Sequence, residues 1–99
     1  MNSNFLPDMD PVTIKTASVF KALGHPLRLL ILSLLKEGPL NAGEIEKLSG
    51  ASQSNTSQHL SLLHRAGLVH RKRQGNSIYY RVENWRIFKL ISQAENISA

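Results

Sequence analysis

Apolar residues recur along this chain at helical spacing in five stretches and alternate in one, and each stretch is bounded by a cap or a breaker. Asp10 before Pro11 reads as a helix start, because aspartate accepts a free first-turn amide and proline at the first position forfeits no hydrogen bond. The helix is expected over 11–23, with Gly24 as its stop. Ile14, Ala17, Phe20 and Leu23 form one stripe, and Val12 and Val19 widen it beyond what a single packing contact requires. Pro26 opens a second helix over 27–36, where Leu27, Leu30, Ile31, Leu34 and Leu35 keep helical spacing and the remaining faces are also apolar. That is the pattern of a central core helix, ended by Gly38 and Pro39.

Asn41 followed by Glu44 has the form of a capping box, and Ile45 and Leu48 are the expected inner face of a short third helix ending at Ser49 and Gly50. Ser52 then caps a fourth helix over 53–66, with Thr56, Leu60 and Leu63 inward and Gly67 after its end. A short helix, a tight glycine-containing turn and an amphipathic helix make a helix-turn-helix. Residues 68–74 and 77–82 alternate around Gly75 and Asn76, which suits a two-residue hairpin, the wing. Asn84 caps a fifth helix over 85–94, where Ile87, Leu90, Ile91 and Ala94 recur with Phe88 alongside. The expected fold class is mainly α with a small β-hairpin (α+β): a winged helix-turn-helix of five helices plus a two-stranded wing, occupying 10–94 between flexible ends 1–9 and 95–99.

Charge sharpens this picture. From 47 to 82 there are six basic residues, Lys47, Arg65, Arg71, Lys72, Arg73 and Arg81, and no Asp or Glu. The rest of the 99-residue chain is nearly balanced, so the net charge of +5 resides almost wholly in this contiguous third, from the end of the third helix through the hairpin. A polyanion is the natural partner of such a surface, and duplex DNA is the commonest one. The outward face of the fourth helix, Gln53, Ser54, Asn55, Ser57 and Gln58, is polar without being charged. Amides and hydroxyls of this kind hydrogen-bond base edges, and the N-terminal part of a second helix-turn-helix helix enters the major groove, which assigns base reading to these five. Ser52, His59, Arg65, Arg71, Lys72, Arg73 and Arg81 are the candidate contacts to the DNA backbone. A solvated helix face and a solubility-promoting hairpin are the ordinary readings of each feature alone; their adjacency and freedom from acid favour DNA.

Several classes are excluded. The chain has no cysteine, which removes disulfides, thiolate chemistry and cysteine-ligated metal. His59 and His64 lie five apart on one helix, whereas metal-binding pairs sit four apart, and no carboxylate accompanies them within the segment, so no metal site is expected. No Gly-x-Ser-x-Gly turn, paired carboxylates or phosphate-binding glycine loop occurs, and neither an enzyme nor a cofactor is expected. The N-terminus lacks the form of a signal peptide, and the densest apolar run, 27–35, is interrupted by Arg28 and far short of the roughly 20 residues that cross a bilayer. A cytoplasmic protein with no membrane partner is the default expectation. A protein-interaction module whose basic face docks an acidic partner is the alternative function.

The segment from Ala22 through Gly24, His25, Pro26, Leu27 and Arg28 to Leu32 resembles the ArsR/SmtB family of bacterial winged helix-turn-helix repressors. So do Ser52 to Leu60, the run Arg65, Ala66, Gly67, Leu68, Val69, and the wing ending Ile78, Tyr79, Tyr80, Arg81, Val82. The resemblance implies a homodimer that binds a palindromic operator, often repressing, and releases it when an inducer binds. It also implies a dimer interface made by the first and last helices, here Ile14, Ala17, Phe20, Trp85, Phe88 and Ile91. Metal-sensing members carry cysteines in the third helix, or acid and histidine ligands in the last; this chain has neither, and it lacks the cysteine pairs of sulfide- or oxidant-sensing relatives. The inducer is therefore unknown, and a non-thiol ligand, a partner protein or a condition acting on the dimer is expected.

Overall fold

Asp10 caps the first helix as its sequence requires, its carboxylate accepting from the Val12 amide at 2.9 Å, and α1 runs Pro11–Leu23. The computed structural model describes residues 8–99, so the expected flexible start falls mostly on 1–7, outside the described residues. Only Ala22 and Leu23 of α1 are buried, so this helix is attached to the rest of the chain by its last turn. A bend of 90° leads into α2, Pro26–Leu35. Its Ile31, Leu32 and Leu35 are the centre of the core, joined by Ile45, Leu60, Leu63, Val69, Val82 and Ile87. Burying each of the large side chains contributes about 1.5–3 kcal/mol, which makes α2 the element the others assemble on.

The capping box at the start of α3, Ala42–Ser49, is complete: the Glu44 amide donates to Asn41 Oδ1 at 2.8 Å, and the Asn41 amide donates to Glu44 Oε1 at 2.9 Å. Gly50 at φ 75° ends α3, and Ser52 Oγ accepts from the Asn55 amide to start α4, Gln53–Arg65. Ile45 is fully buried, but Leu48, expected on the same inner face, is 59% exposed. The inner surface of α3 is narrower than the pattern implied because the helix is only eight residues long and α4 follows immediately.

The expected two-stranded wing is present, and a third strand joins its sheet. β2, His70–Gln74, pairs antiparallel with β3, Ser77–Arg81, and β1, Leu40–Asn41, pairs with the other edge of β3 through Leu40 opposite Tyr80 and Asn41 opposite Tyr79. At the tip Gly75 takes φ 62° and Asn76 stays at negative φ, the pattern of a type II′ rather than a type I′ turn. The last helix, α5, runs Arg86–Ser98. It continues through 95–98, where the sequence predicts a flexible end, because Glu95 and Asn96 interrupt the apolar stripe without ending the helix. Asn84 does cap it, accepting from the Arg86 amide at 3.1 Å. Lys36 over the Phe88 ring helps to tie α5 to the end of α2. No single helix among the described residues is long and apolar enough to cross a membrane.

Candidate nucleic-acid interface

Thr56, Leu60 and Leu63 turn one side of α4 into the core, and that fixes what the other side presents. Gln53, Ser54, Asn55, Ser57 and Gln58 are all exposed, on consecutive turns at the N-terminal end of the helix. Their amides and hydroxyls have no recorded protein partners among the described residues, apart from backbone bonds of the helix itself, and so are free to meet base edges. Ser52 is exposed too, but its hydroxyl oxygen already accepts from Asn55 as the helix cap. The Thr56 hydroxyl is fully buried without a hydrogen-bond partner.

His59 is placed differently from its expected role as a backbone contact. It is 9% exposed and turned inward, three residues after Thr56 and four before Leu63, on the side of α4 that packs. Its ring lies 4.3 Å, centroid to centroid, from that of His25, and its Nδ1 is 3.0 Å from Nη1 of Arg28. Arginine can only donate, so Nδ1 accepts and the neutral ring carries its hydrogen on Nε2. Burial, then the neighbouring His25 and the Arg28 guanidinium, hold the His59 pKa below 6.5.

The wing cations divide between the two faces of the ribbon. Arg71 lies opposite Tyr80 and Arg73 opposite Ile78, on one face, whereas Lys72 lies opposite Tyr79 on the other. Arg71, Lys72 and Arg73 are exposed, as is Arg65 at the end of α4. A ribbon this narrow keeps side chains from both faces near any groove that receives its tip. Arg81, expected beside them, sits instead at the root, opposite His70 and on the Lys72 face. There it is held by Glu83, which also lies 3.5 Å from Nε2 of His70. Sequence reasoning missed Glu83 because it stands one residue past the end of the acid-free stretch.

A second surface is apolar. Val12, Ile14 and Phe20 of α1 and Trp85 before α5 are between 42% and 67% exposed, with Ala17 exposed beside them and Phe88 and Ile91 half-buried. Trp85 and Phe88 pack edge to face at 5.1 Å. Between α1, α2 and α5 runs a groove of about 540 Å³ whose walls include Phe20, Leu23, Leu29, Phe88, Leu90 and Ile91. Large contiguous apolar surface of this kind marks an interaction site. Among the described residues no group of three or more His, Cys, Asp or Glu is gathered as a metal site.

The family model for bacterial regulatory proteins of the arsR family matches residues 25–71, which is the second helix, the helix-turn-helix and the start of the wing. The chain is 37% identical over 84 residues to the HTH-type transcriptional regulator YgaV of Escherichia coli strain K12, covering 84% of this chain and 85% of the relative. It belongs to the arsR family. Another relative, the biofilm growth-associated repressor of Xylella fastidiosa, is 32% identical over 97 residues, covering 93% of this chain and 85% of the relative. Among solved structures, the homodimeric winged helix-turn-helix DNA-binding domain of a Mycobacterium bovis protein matches with a TM-score of 0.78 and 30% identity, covering 88% of this chain and 81% of that one. The arsR-family chain described here is accordingly a transcriptional regulator and not an enzyme.

Proposed function

We propose that this arsR-family chain is a homodimeric repressor that binds a palindromic operator in double-stranded DNA. The observation that carries the reading is the exposed, uncharged polar face of α4, Gln53 to Gln58, standing beside a cationic wing with the acid-free stretch between them. Gln53, Ser54, Asn55, Ser57 and Gln58 read base edges; Arg65, Arg71, Lys72 and Arg73 hold phosphates and give the complex its salt dependence. Ser52 contributes through the capped N-terminus of α4, and Arg81 contributes to the extent that Glu83 releases it.

Two copies pair through Ile14, Ala17 and Phe20 of α1 and through Trp85, Phe88 and Ile91, covering the apolar groove and setting their α4 helices about 34 Å apart, one turn of duplex. The homodimeric relative from Mycobacterium bovis and the repressor from Xylella fastidiosa support pairing and repression respectively. The protein works where its operator is, in the cytoplasm, and uses no metal or other cofactor. Its inducer is a ligand or condition that acts without thiols, since the chain has no cysteine.

The test is selection of bound duplexes from a random pool by the purified protein. An inverted repeat with half-sites one helical turn apart is the expected product. Recovery of no preferred sequence, with an acidic protein bound instead, would replace this reading by that of a protein-interaction module.

A further inference from the structure

Arg28 is a half-buried cation with no carboxylate partner recorded among the described residues. Each of its three guanidinium nitrogens makes a hydrogen bond, and together they reach two other elements. Nε donates to the Ala22 carbonyl at 2.6 Å and Nη2 to the Lys21 carbonyl at 3.2 Å, both in the last turn of α1, and Nη1 donates to His59 of α4 at 3.0 Å. Both carbonyls lie at the end of α1, where the Lys21 carbonyl also accepts from the Gly24 amide, and the negative end of the helix dipole partly offsets the guanidinium charge. One side chain on α2 therefore spans from the helix with the exposed apolar stripe to the helix with the exposed polar face.

We propose that Arg28 is a positioning residue for DNA binding: it locks α4 to the end of α1 through His59, so that the seat of α4 follows α1, and a proton taken up by His59 opens the lock. The inference rests on the DNA-binding reading given above. Arginine cannot lose its proton, so the bond exists only while His59 Nδ1 is an acceptor. A protonated ring would put a second cation 3.0 Å from the guanidinium and beside the His25 ring. His25 accepts from the Leu27 amide at 3.0 Å as the cap of α2, which fixes its ring against His59. The charged groups of α3, the other helix packed on α4, are Glu44, Glu46 and Lys47, and among the described residues no carboxylate forms an ion pair with His59 that would stabilise the proton. Acid thus turns the link between α1 and α4 from attraction into repulsion. The sign is diagnostic, because protonating a histidine near DNA ordinarily adds a cation and tightens phosphate binding.

The experiment uses a fluorescent duplex recovered from the random pool with wild-type protein, titrated at fixed ionic strength with wild type, His59→Gln and Arg28→Lys. Between about pH 7.5 and about pH 5.5 the wild-type affinity is expected to fall about tenfold relative to that of His59→Gln, which accepts a hydrogen bond and does not titrate. Arg28→Lys, which keeps the charge and loses the fork, is expected to bind weakly at the higher pH and to lose nothing further in acid, while sedimentation still finds the wild-type oligomer. A His59→Gln curve parallel to that of wild type overturns the lock and leaves the DNA reading intact. Failure to recover any duplex overturns the DNA reading instead. Should either variant fail to fold, the wild-type amide resonances of α4 decide: they are expected to shift with the same midpoint as the His59 ring, and a titrating ring with unmoved α4 amides overturns the proposal.

Discussion

The Arg81 guanidinium donates to Glu83 from Nε at 3.0 Å and from Nη2 to the same carboxylate oxygen. The pair is more than a third exposed, so water screens it and its contribution to stability is small. Its effect on the proposed phosphate binding is expected to be larger, because it occupies a cation at the root of the wing. Glu83→Gln is therefore expected to strengthen binding to duplexes of any sequence and to steepen the dependence of log affinity on log salt by about one. Titrations at three or more salt concentrations measure this; an unchanged slope would mean that Arg81 meets no phosphate.

Base reading and phosphate binding separate by mutation. Gln58→Ala is expected to cost about 1–3 kcal/mol on the selected duplex and little on random DNA. Arg73→Ala should weaken both alike and lower the salt slope by about one. Equal losses on both duplexes for Gln58→Ala would remove it from the base-reading set.

Thr56 offers a test of stability with no change at the surface. Its hydroxyl is completely buried and unpaired, and such a group costs about 1–3 kcal/mol. Thr56→Val keeps the branched shape and removes that cost, so the urea midpoint is expected to rise with an unchanged m value. A falling midpoint would mean that the hydroxyl finds a partner in solution.

Phe20 is 56% exposed on a helix whose only buried residues are its last two. Phe20→Glu places a charge in the proposed interface and is expected to yield a folded monomer by sedimentation. Operator affinity should drop by about a hundredfold or more, since each half-site is then bound alone.

Stability should also depend on pH through His59. Its pKa is below 6.5 in the folded chain and returns to about 6.5 on unfolding, so in the intervening range the unfolded state binds more protons. The stabilisation is fully present above 6.5 and is lost as pH falls below 6.5 and through the lowered folded value. Denaturant midpoints across this range should decline for wild type, and His59→Gln should remove that part of the decline.

The local chemistry of the chain made most of this structure readable in advance. Asp10, Asn41, Ser52 and Asn84 accept from the amides their positions imply, and each marks a helix start to within a residue. What escaped were features that depend on distant neighbours. Leu40 and Asn41 are too short a run to alternate, and they become a strand only because the edge of β3 is there to pair with. Arg28 and His59 lie 31 residues apart, and nothing local announces that they meet. The inward turn of His59 is legible in its spacing from Thr56 and Leu63, but a histidine is also a candidate phosphate contact, and sequence does not show which role it takes. The division of wing cations between two faces follows from strand alternation alone.

Asn41 belongs to two structures at once: its backbone lies opposite Tyr79 in the sheet, and its side chain completes the cap of α3. Asn41 thus joins β3 directly to the first turn of the helix-turn-helix, beside the Leu40 pairing and the packing of β3 on α3. In the proposed complex hairpin and helices would act as one lever on a shared fulcrum, so that a groove tilting the ribbon would also tilt α3 and α4.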